Sequence, residues 1–409
     1  MRRALVPIVV LVVACGARAP VAVTPPPPPP PPAAELVESW PRETLLDHPD
    51  IPDAADVWLE MIGSAKKTLD LGEFYASDQE GSRLHAVVEA VESAANRGVA
   101  VRFLVEEAFV SKYPETLLRF SKHAGITVRH FDRSKTMGGI LHAKYFVVDG
   151  REAYLGSQNF DWRSLEHIQE LGVRLRQPAL VAALGAVFDA DWDVCGGAPE
   201  TRYETGTWPS FPVRDGAQML TLGVSPQGYL PKGAAWDLPI LLRWIDEAKK
   251  NVRVQVLTYK TKNRDGTPFV QLDDALRRAA ARGVHVHLLV SSWNEKEESV
   301  ASLAKVPNGE VGVLTIPNWS HGDVPFGRVT HAKFFVADED RAWVGTSNWE
   351  GDYFTKSRNV GLFVEGTPFA PRVARLFDQD AASPYAKDLS PGFLSASQPE
   401  PGVPPGPSP

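Results

Sequence analysis

The chain has 409 residues, 44% of them hydrophobic, enough for two or three domains with large cores, and a formal net charge of −7. No strongly basic block runs along it, which excludes wrapping of a long nucleic acid and confines any polyanion contact to a small pocket. Its two cysteines, Cys15 and Cys195, provide no disulfide framework, and no Cys/His cluster has zinc spacing.

Arg2 and Arg3 precede an apolar run from Ala4 to Ala14 that is too short to span a bilayer as a stable helix. The run ends Val12-Val13-Ala14-Cys15-Gly16, which resembles the lipobox of bacterial lipoproteins, although Leu is commoner than Val at the position of Val12. That resemblance makes residues 1–15 an export signal, Cys15 the site of lipid attachment, and the membrane a partner, with the outer membrane or cell envelope as the location. A plain secretory signal is the alternative. Residues 16–34 read as a Pro-rich tether, since the eight prolines from Pro25 to Pro32 favour a semi-rigid polyproline II spacer. A Pro-rich tail occupies residues 391–409.

From Glu35 helical and strand patterns alternate. Val57, Met61, Ile62 and Ala65 have helical spacing, and Thr68 to Tyr75 reads as a strand. Leu84, Val87, Val88, Val91 and Ala95 form a second helical stripe closed by Gly98, followed by a buried strand from Val99 to Val105. A short helix from Glu115 to Lys122 leads to the strand Ile126 to Phe131. A longer helix carries Leu180, Val181, Leu184, Val187 and Phe188 and ends near Trp192. This alternation over residues 35–197 predicts an α/β sandwich on one mixed sheet.

Residues 198–236 hold five prolines and several glycines and read as a linker. The order then restarts over residues 237–390. Ile240, Leu241, Trp244, Ile245 and Ala248 mark a helix, Val252 to Tyr259 a strand, Leu272, Ala275, Leu276 and Ala279 a helix, and Val284 to Val290 a strand. Lys249-Lys250-Asn251 answers Lys66-Lys67-Thr68, and Arg282-Gly283-Val284 answers Arg97-Gly98-Val99. With the stretch described next, the matched blocks lie 183, 185 and 189 residues apart, the mark of a duplicated domain.

His142-Ala-Lys144-Tyr-Phe-Val-Val-Asp149 leads after six residues to Gly156-Ser157-Gln158-Asn159. His331-Ala-Lys333-Phe-Phe-Val-Ala-Asp338 leads after six to Gly345-Thr346-Ser347-Asn348. Strand alternation puts His142 and Lys144 on one face, and likewise His331 and Lys333, while Asp149 and Asp338 point away as structural or supporting groups that orient the turn. Two lysines and two asparagine amides suit the non-bridging oxygens of a phosphodiester. One imidazole suits attack on phosphorus and the other proton transfer to the leaving oxygen. Glu170, 28 residues beyond His142, is the candidate carboxylate for fixing a tautomer; Asn359 stands at the equivalent place in the second half, so the two histidines are not equivalent. With lysines supplying the charge, no metal or cofactor is expected.

The doubled His-x-Lys-x4-Asp-x6-Gly-[Ser/Thr]-x-Asn pattern resembles the phospholipase D superfamily. Leu141 to Val173, Gly345 to Trp349, Asp352-Tyr353-Phe354 and Ser383-Pro384-Tyr385 further resemble the animal lysosomal branch of phospholipase D-like 5′-exonucleases, the third and fourth mammalian members. The resemblance implies a duplicated α/β/α sandwich whose two pseudo-symmetric lobes share one active site. It implies His142 as nucleophile, His331 as general acid, and Lys144, Lys333, Asn159 and Asn348 as phosphate ligands, with Ser157 and Ser347 beside them at the substrate. That branch tends to have Glu at the position of Asp338, and the paired cysteines of the secreted relatives have no counterparts.

Trp162, Trp349 and Tyr353, just beyond the asparagines, either pack in the core or form a platform for a nucleobase. Glu73, Phe74 and Tyr75 either line the pocket or pack beneath it. Three functions fit: a phosphodiesterase acting on single-stranded nucleic acid, a phospholipase D or transphosphatidylase acting on phospholipid, and a non-catalytic envelope binding module.

Overall fold

In a computed structural model, residues 31–205 and 208–390 are described. The export signal, Cys15, nearly all of the Pro-rich tether and the Pro-rich tail lie outside them. From Ala33 onward the described residues fall in one compact unit. No described helix is long and apolar enough to cross a membrane.

The first lobe is built from β1 (Ala34–Ser39), α1 (Ala54–Ser64), β2 (Thr68–Glu73), α2 (Arg83–Asn96), β3 (Ala100–Glu106), α3 (Pro114–Ser121), β4 (Ile126–Phe131), β5 (Tyr145–Val148), β6 (Glu152–Gly156), β7 (Ile168–Leu175) and α4 (Pro178–Cys195). The strands lie in the order β1-β7-β6-β5-β2-β3-β4, antiparallel up to β2 and parallel from there to β4. The second lobe repeats this plan with β8 (Gln218–Ser225), α5 (Asp237–Glu247), β9 (Asn251–Val256), α6 (Gln271–Ala281), β10 (His285–Ser291), α7 (Glu298–Leu303), β11 (Gly309–Leu314), β12 (Phe334–Ala337), β13 (Arg341–Gly345), β14 (Asn359–Glu365), α8 (Phe369–Ala382) and β15 (Ala386–Asp388). Its order is β8-β14-β13-β12-β9-β10-β11-β15, with the short strand Val213–Asp215 paired outside β8.

The apolar stripes of α1 and α2 bury against one face of the first sheet, and those of α5 and α6 against one face of the second. The opposite faces share a single core with α4 and α8, in which Leu155, Val173, Leu184 and Phe188 join Phe334, Val344, Leu362 and Phe377. The two lobes therefore cannot separate without exposing the largest apolar cluster among the described residues.

Two boundaries need correction. Residues 198–236 are not merely a linker, because β8 pairs along its length with β14 and buries Leu220, Leu222 and Val224. It occupies the place in the second sheet that β1 holds in the first. Ala34, assigned to the tether, already pairs with Leu175 at the start of β1.

The two aspartates of the repeated stretch bond to backbone and do not line the cleft, for a reason visible in the backbone. Asp149 and Asp338 have φ of 54° and 53°, a left-handed conformation that Asp tolerates better than most residues. From there Asp149 accepts hydrogen bonds from the backbone N–H groups of Lys66, Lys67 and Thr68 at 2.9, 2.7 and 2.9 Å. Asp338 does the same for Lys249, Lys250 and Asn251 at 2.8, 2.7 and 3.1 Å. Each carboxylate ties the end of a helix and the start of a strand to the hairpin that carries the histidine. Partial burial would raise the two carboxyls, but these donors hold both below the ordinary value. Asp149→Ala removes three charge-assisted bonds at a partly exposed site, and a loss of about 2 kcal/mol is expected in chemical denaturation. Turnover per folded molecule should stay near that of the parent; a large fall in turnover without loss of stability would contradict this structural assignment.

Candidate active site

His142 and His331 sit just ahead of β5 and β12, both buried, and open onto the same cleft of about 210 Å³ at the lobe junction. Each is fixed by the opposite lobe. The backbone N–H groups of His142 and Ala143 donate to the Arg358 carbonyl at 3.0 and 2.9 Å, and those of His331 and Ala332 to the Gln169 carbonyl at 2.8 and 3.1 Å. Val329–Thr330 also pairs in parallel with the first two residues of β7, so the second lobe adds a short strand to the first sheet.

The side chains are exchanged in the same way. His331 Nδ1 meets Glu170 Oε2 at 2.7 Å, and His142 Nδ1 meets Asn359 Oδ1 at 3.0 Å. Glu170 therefore serves the histidine of the other lobe, not the one it follows in sequence. Asn359 donates its amide to the Tyr353 carbonyl at 2.8 Å, which leaves its oxygen as the acceptor for His142. That fixes the hydrogen of His142 on Nδ1 and leaves Nε2 with its lone pair toward the cleft.

Burial, reinforced by the charges of Lys144 and Lys333, holds both imidazoles well below their ordinary range. Burial also raises the Glu170 carboxyl to about 7, against the pull of Lys333. Lys144 and Lys333 are fully buried; their ammonium groups donate to the carbonyls of His142 and His331. Burial lowers both amines, Lys333 to about 7. Two lysine donors are thus buried beside two imidazoles whose charged forms burial disfavours, an arrangement that becomes charged at least cost when an anion enters.

Asn159 and Asn348 line the cleft, and each has an amide oxygen without a hydrogen-bond partner. Ser157 and Ser347 do not reach it. The Ser157 hydroxyl donates to the Leu171 carbonyl at 3.2 Å and accepts from the Leu171 N–H at 3.0 Å, bracing β7 next to Glu170. Thr346, not Ser347, does the same to Val360 on β14, at 3.2 and 3.1 Å. Ser347 is fully buried with its hydroxyl unpaired. Both serines are corrected from substrate contacts to interior positions.

Of the three aromatic candidates, Tyr353 reaches the site, with its ring 4.6 Å from that of His142. Trp349 is buried in the second core and Trp162 packs edge-on against His167. The other rings of the cleft come from segments that carry no repeated pattern: Phe74, Tyr75, Phe109 and Tyr113 from the first lobe, Trp293 and Phe326 from the second. The segment from Phe109 to Tyr113 lies just past the C-terminal end of β3, where ligand sites of open α/β sheets gather, and that was the available signal.

Pseudo-symmetric aspartates stand behind both histidine loops. Asp191 on α4 holds the Arg358 guanidinium with two bonds of 2.8 and 2.9 Å, and both residues are fully buried. Arg358 also donates to the Ser225 carbonyl at 2.8 Å and the Tyr229 carbonyl at 2.6 Å. Asp380 on α8 accepts from the Gln169 amide and from Gln255, with His48 Nε2 at 3.6 Å. Burial alone would depress His48, but its bond to Glu38 and the Asp380 charge raise it to about 9, so it stands where a guanidinium stands in the other half. His48 escaped the sequence reading because it lies outside both repeated blocks. A wider groove of about 710 Å³, lined by Asp70, Arg102, Asp149 and Trp208 among others, contains neither histidine, and its Arg102 is already paired with Asp70 and Asp189.

The comparisons with known proteins agree with this fold. A family model described as "Cardiolipin synthase, PLD-like domain" matches twice, at residues 58–192 and 241–381. The chain belongs to the phospholipase D superfamily. It is similar to "Phospholipase D Z" of Dictyostelium discoideum, 33% identical over 361 residues, covering 81% of this chain and 85% of that protein. It is also similar to "5'-3' exonuclease PLD4" of Mus musculus, 31% identical over 402 residues with 87% and 79% covered. "5'-3' exonuclease PLD3" of Homo sapiens is 31% identical over 401 residues, with 87% and 80% covered. Among solved structures, the phosphatidylserine synthase of Haemophilus influenzae Rd KW20 shares the fold, with a TM-score of 0.57 at 10% identity over 82% of this chain and 85% of that one. As a superfamily member the protein is a phosphodiesterase, and its exonuclease-like branch is the one the sequence motifs indicated.

The Arg358–Asp191 pair gives this cross-lobe arrangement a direct test. Asp191→Ala strands a buried guanidinium, and a loss of about 3–5 kcal/mol in unfolding free energy is expected. Where the variant remains folded, kcat should fall with little change in KM, because the His142 loop loses its support while the rest of the cleft is intact. Unchanged turnover would mean that the Arg358 carbonyl needs no help to hold His142.

Proposed function

We propose that this protein hydrolyses phosphodiester bonds of single-stranded nucleic acid, from the 5′ end, through a covalent phosphohistidine on His142. Nε2 of His142 attacks phosphorus, the bond to the leaving oxygen breaks, and His331 gives that oxygen its proton. Water then gives a proton back to His331 and attacks phosphorus, and the P–N bond electrons return to His142. Lys144, Lys333, Asn159 and Asn348 bind the non-bridging oxygens, so no metal is needed to neutralise them.

The unequal histidine partners support this division of labour. A carboxylate beside His331 stabilises the imidazolium that a general acid must be, whereas the neutral Asn359 keeps His142 as the free base that a nucleophile must be. The substrate class rests on one observation, the ring-lined wall. Phe74 stands 5.1 Å from His142, and Tyr75 stacks on Tyr113 at 4.8 Å and on Phe109 at 5.7 Å. Flat rings in a narrow cleft suit stacking of unpaired bases, which is worth about 1–3 kcal/mol per base.

End-labelled single-stranded oligonucleotides in excess EDTA provide the test. Stepwise shortening from the 5′ end, abolished by His142→Ala, is expected. Headgroup release from phosphatidylglycerol with oligonucleotides left intact would replace the nucleic acid reading by a phospholipase one. The His331–Glu170 pair should set a pH limb. Glu170 keeps a proton in the pair below about 7 and loses it above, so single-turnover cleavage should decline as pH rises through that value. Glu170→Gln should lower kcat by about 100-fold and remove the limb; a limb that survives the substitution assigns the proton elsewhere.

A further inference from the structure

One buried carboxylate at the site takes no part in the mechanism above. Glu73 ends β2 with 1% exposure, and its Oε2 has no hydrogen-bond partner. The antiparallel register of β2 with β5 runs from Leu69↔Val148 to Gly72↔Tyr145. One step further it sets Glu73 directly opposite Lys144, on the same face, at the spacing where cross-strand side chains meet. Glu73 and Lys144 each feel the other's charge. The next residue, Phe74, lies with its ring 4.8 Å from the Lys144 ammonium and 5.1 Å from the His142 ring. The second lobe lacks this feature: β9 pairs with β12 up to Gln255↔Phe334, so the residue opposite Lys333 is Val256.

Counting charge around the cleft gives the feature a purpose. Two lysines face two carboxylates, Glu73 across from Lys144 and Glu170 beside Lys333. Several polar groups nearby are already engaged, while the Gln158 amide nitrogen has no partner. Tyr154 on β6 donates to Gln158 at 2.6 Å, and Glu106 at the end of β3 accepts from the N–H groups of Leu141 and Ala108 at 2.7 and 3.1 Å. Asp161 is held by Arg163 and by Tyr75, and His142 by Asn359. Above about pH 7, where the His331–Glu170 pair has lost its proton, an arriving phosphodiester anion gives the buried site one negative charge too many, and Glu73 is the carboxylate with an oxygen free of donors and no imidazole attached.

We propose that Glu73, which faces Lys144 across the two strands while the ammonium itself is bonded to the His142 carbonyl, is a positioning residue that balances the Lys144 charge in the empty site and takes up a proton from solvent when a phosphodiester anion takes over that role. Its carboxylate becomes a neutral acid as Lys144 turns to the phosphate, so substrate binding is linked to proton uptake on the first-lobe side alone. Burial, which raises the Glu73 carboxyl well above its usual value, is consistent with this exchange. The inference rests on the reading of Lys144 as a phosphate ligand.

Dimethyl phosphate, a monoanion of constant charge, is the probe. Calorimetric titration in buffers of different ionisation enthalpy, from about pH 6 to 9, counts protons taken up per anion bound. At some pH in that range the parent protein should take up about one proton more than Glu73→Gln, and its affinity should fall more steeply with rising pH, by up to tenfold per unit. Glu73→Asp should restore part of the difference, which a merely structural role would not. Should the Gln variant fail to fold, Glu73→Val tests the same point, since the second lobe tolerates valine there. Equal proton counts and equal pH slopes in parent and variant overturn the inference while leaving Lys144 as a phosphate ligand. Unchanged dimethyl phosphate binding in Lys144→Met overturns both.

Discussion

The reciprocal hold of each lobe on the other's histidine is the constraint on which the rest depends. His142 belongs to the first sheet by sequence, yet its backbone, its ring and the aromatic edge beside it are set by Arg358, Asn359 and Tyr353 of the second lobe. His331 is set by Gln169 and Glu170 of the first. Neither lobe alone contains a positioned histidine. The shared core of α4, α8 and the facing sheet surfaces must form before the site exists, which makes catalytic competence a property of the docked pair.

This hold is built from buried polar groups, and it carries a cost that the interior has to offset. Removing an ion from water costs several kcal/mol even after relaxation. Arg358 meets that cost with donors directed to both oxygens of Asp191 and to two backbone carbonyls, and Tyr203 gives Asp191 a further bond at 2.8 Å. The opposite corner uses amides and the His48–Glu38 pair instead, with Gln255 and Thr330 completing the network at 3.1 Å. The same geometric task is done by a permanent cation on the His142 side and by a titratable one on the His331 side. A duplicated fold thus keeps its backbone symmetry while the chemistry of its two corners diverges.

The sequence disclosed what repeats and concealed what does not. Helices α1 to α6, the β2 and β3 strands and both hairpins were legible because amphipathic spacing and the repeated blocks agreed on them, while α7 and α8 went unread, and side-chain parity along a strand was enough to turn Asp149 and Asp338 away from the histidines. β8 was hidden by the prolines and glycines around it, although Leu220, Leu222 and Val224 alternate as a half-buried strand should. The exchange of Glu170 and Asn359 between lobes was beyond reach, since sequence distance places Glu170 with His142 and only the docking of two sheets reassigns it. Ser347 was misread for a simpler reason: counting along the motif aligns Ser157 with Thr346, and the hydroxyl that braces the neighbouring strand is the threonine's.

In the proposed mechanism, substitutions at paired positions set the direction of the reaction. Symmetric histidines with symmetric partners would compete for the same role, each as able to attack as to donate a proton. Glu170 in the place that Asn359 takes in the second lobe removes that degeneracy at the imidazoles, and Glu73, matched there by Val256, makes the surroundings of the two lysines unequal. Both extra carboxylates lie in the first lobe but act on different sides, Glu170 through His331 and Glu73 through Lys144. The first lobe therefore supplies the groups that can gain or lose a proton, and the second supplies neutral ones, Asn359 and Val256, at the matching places. An anion entering such a site meets two lysines of unequal readiness, and the one across from Val256 has no carboxylate on its facing strand to give up before it can bind.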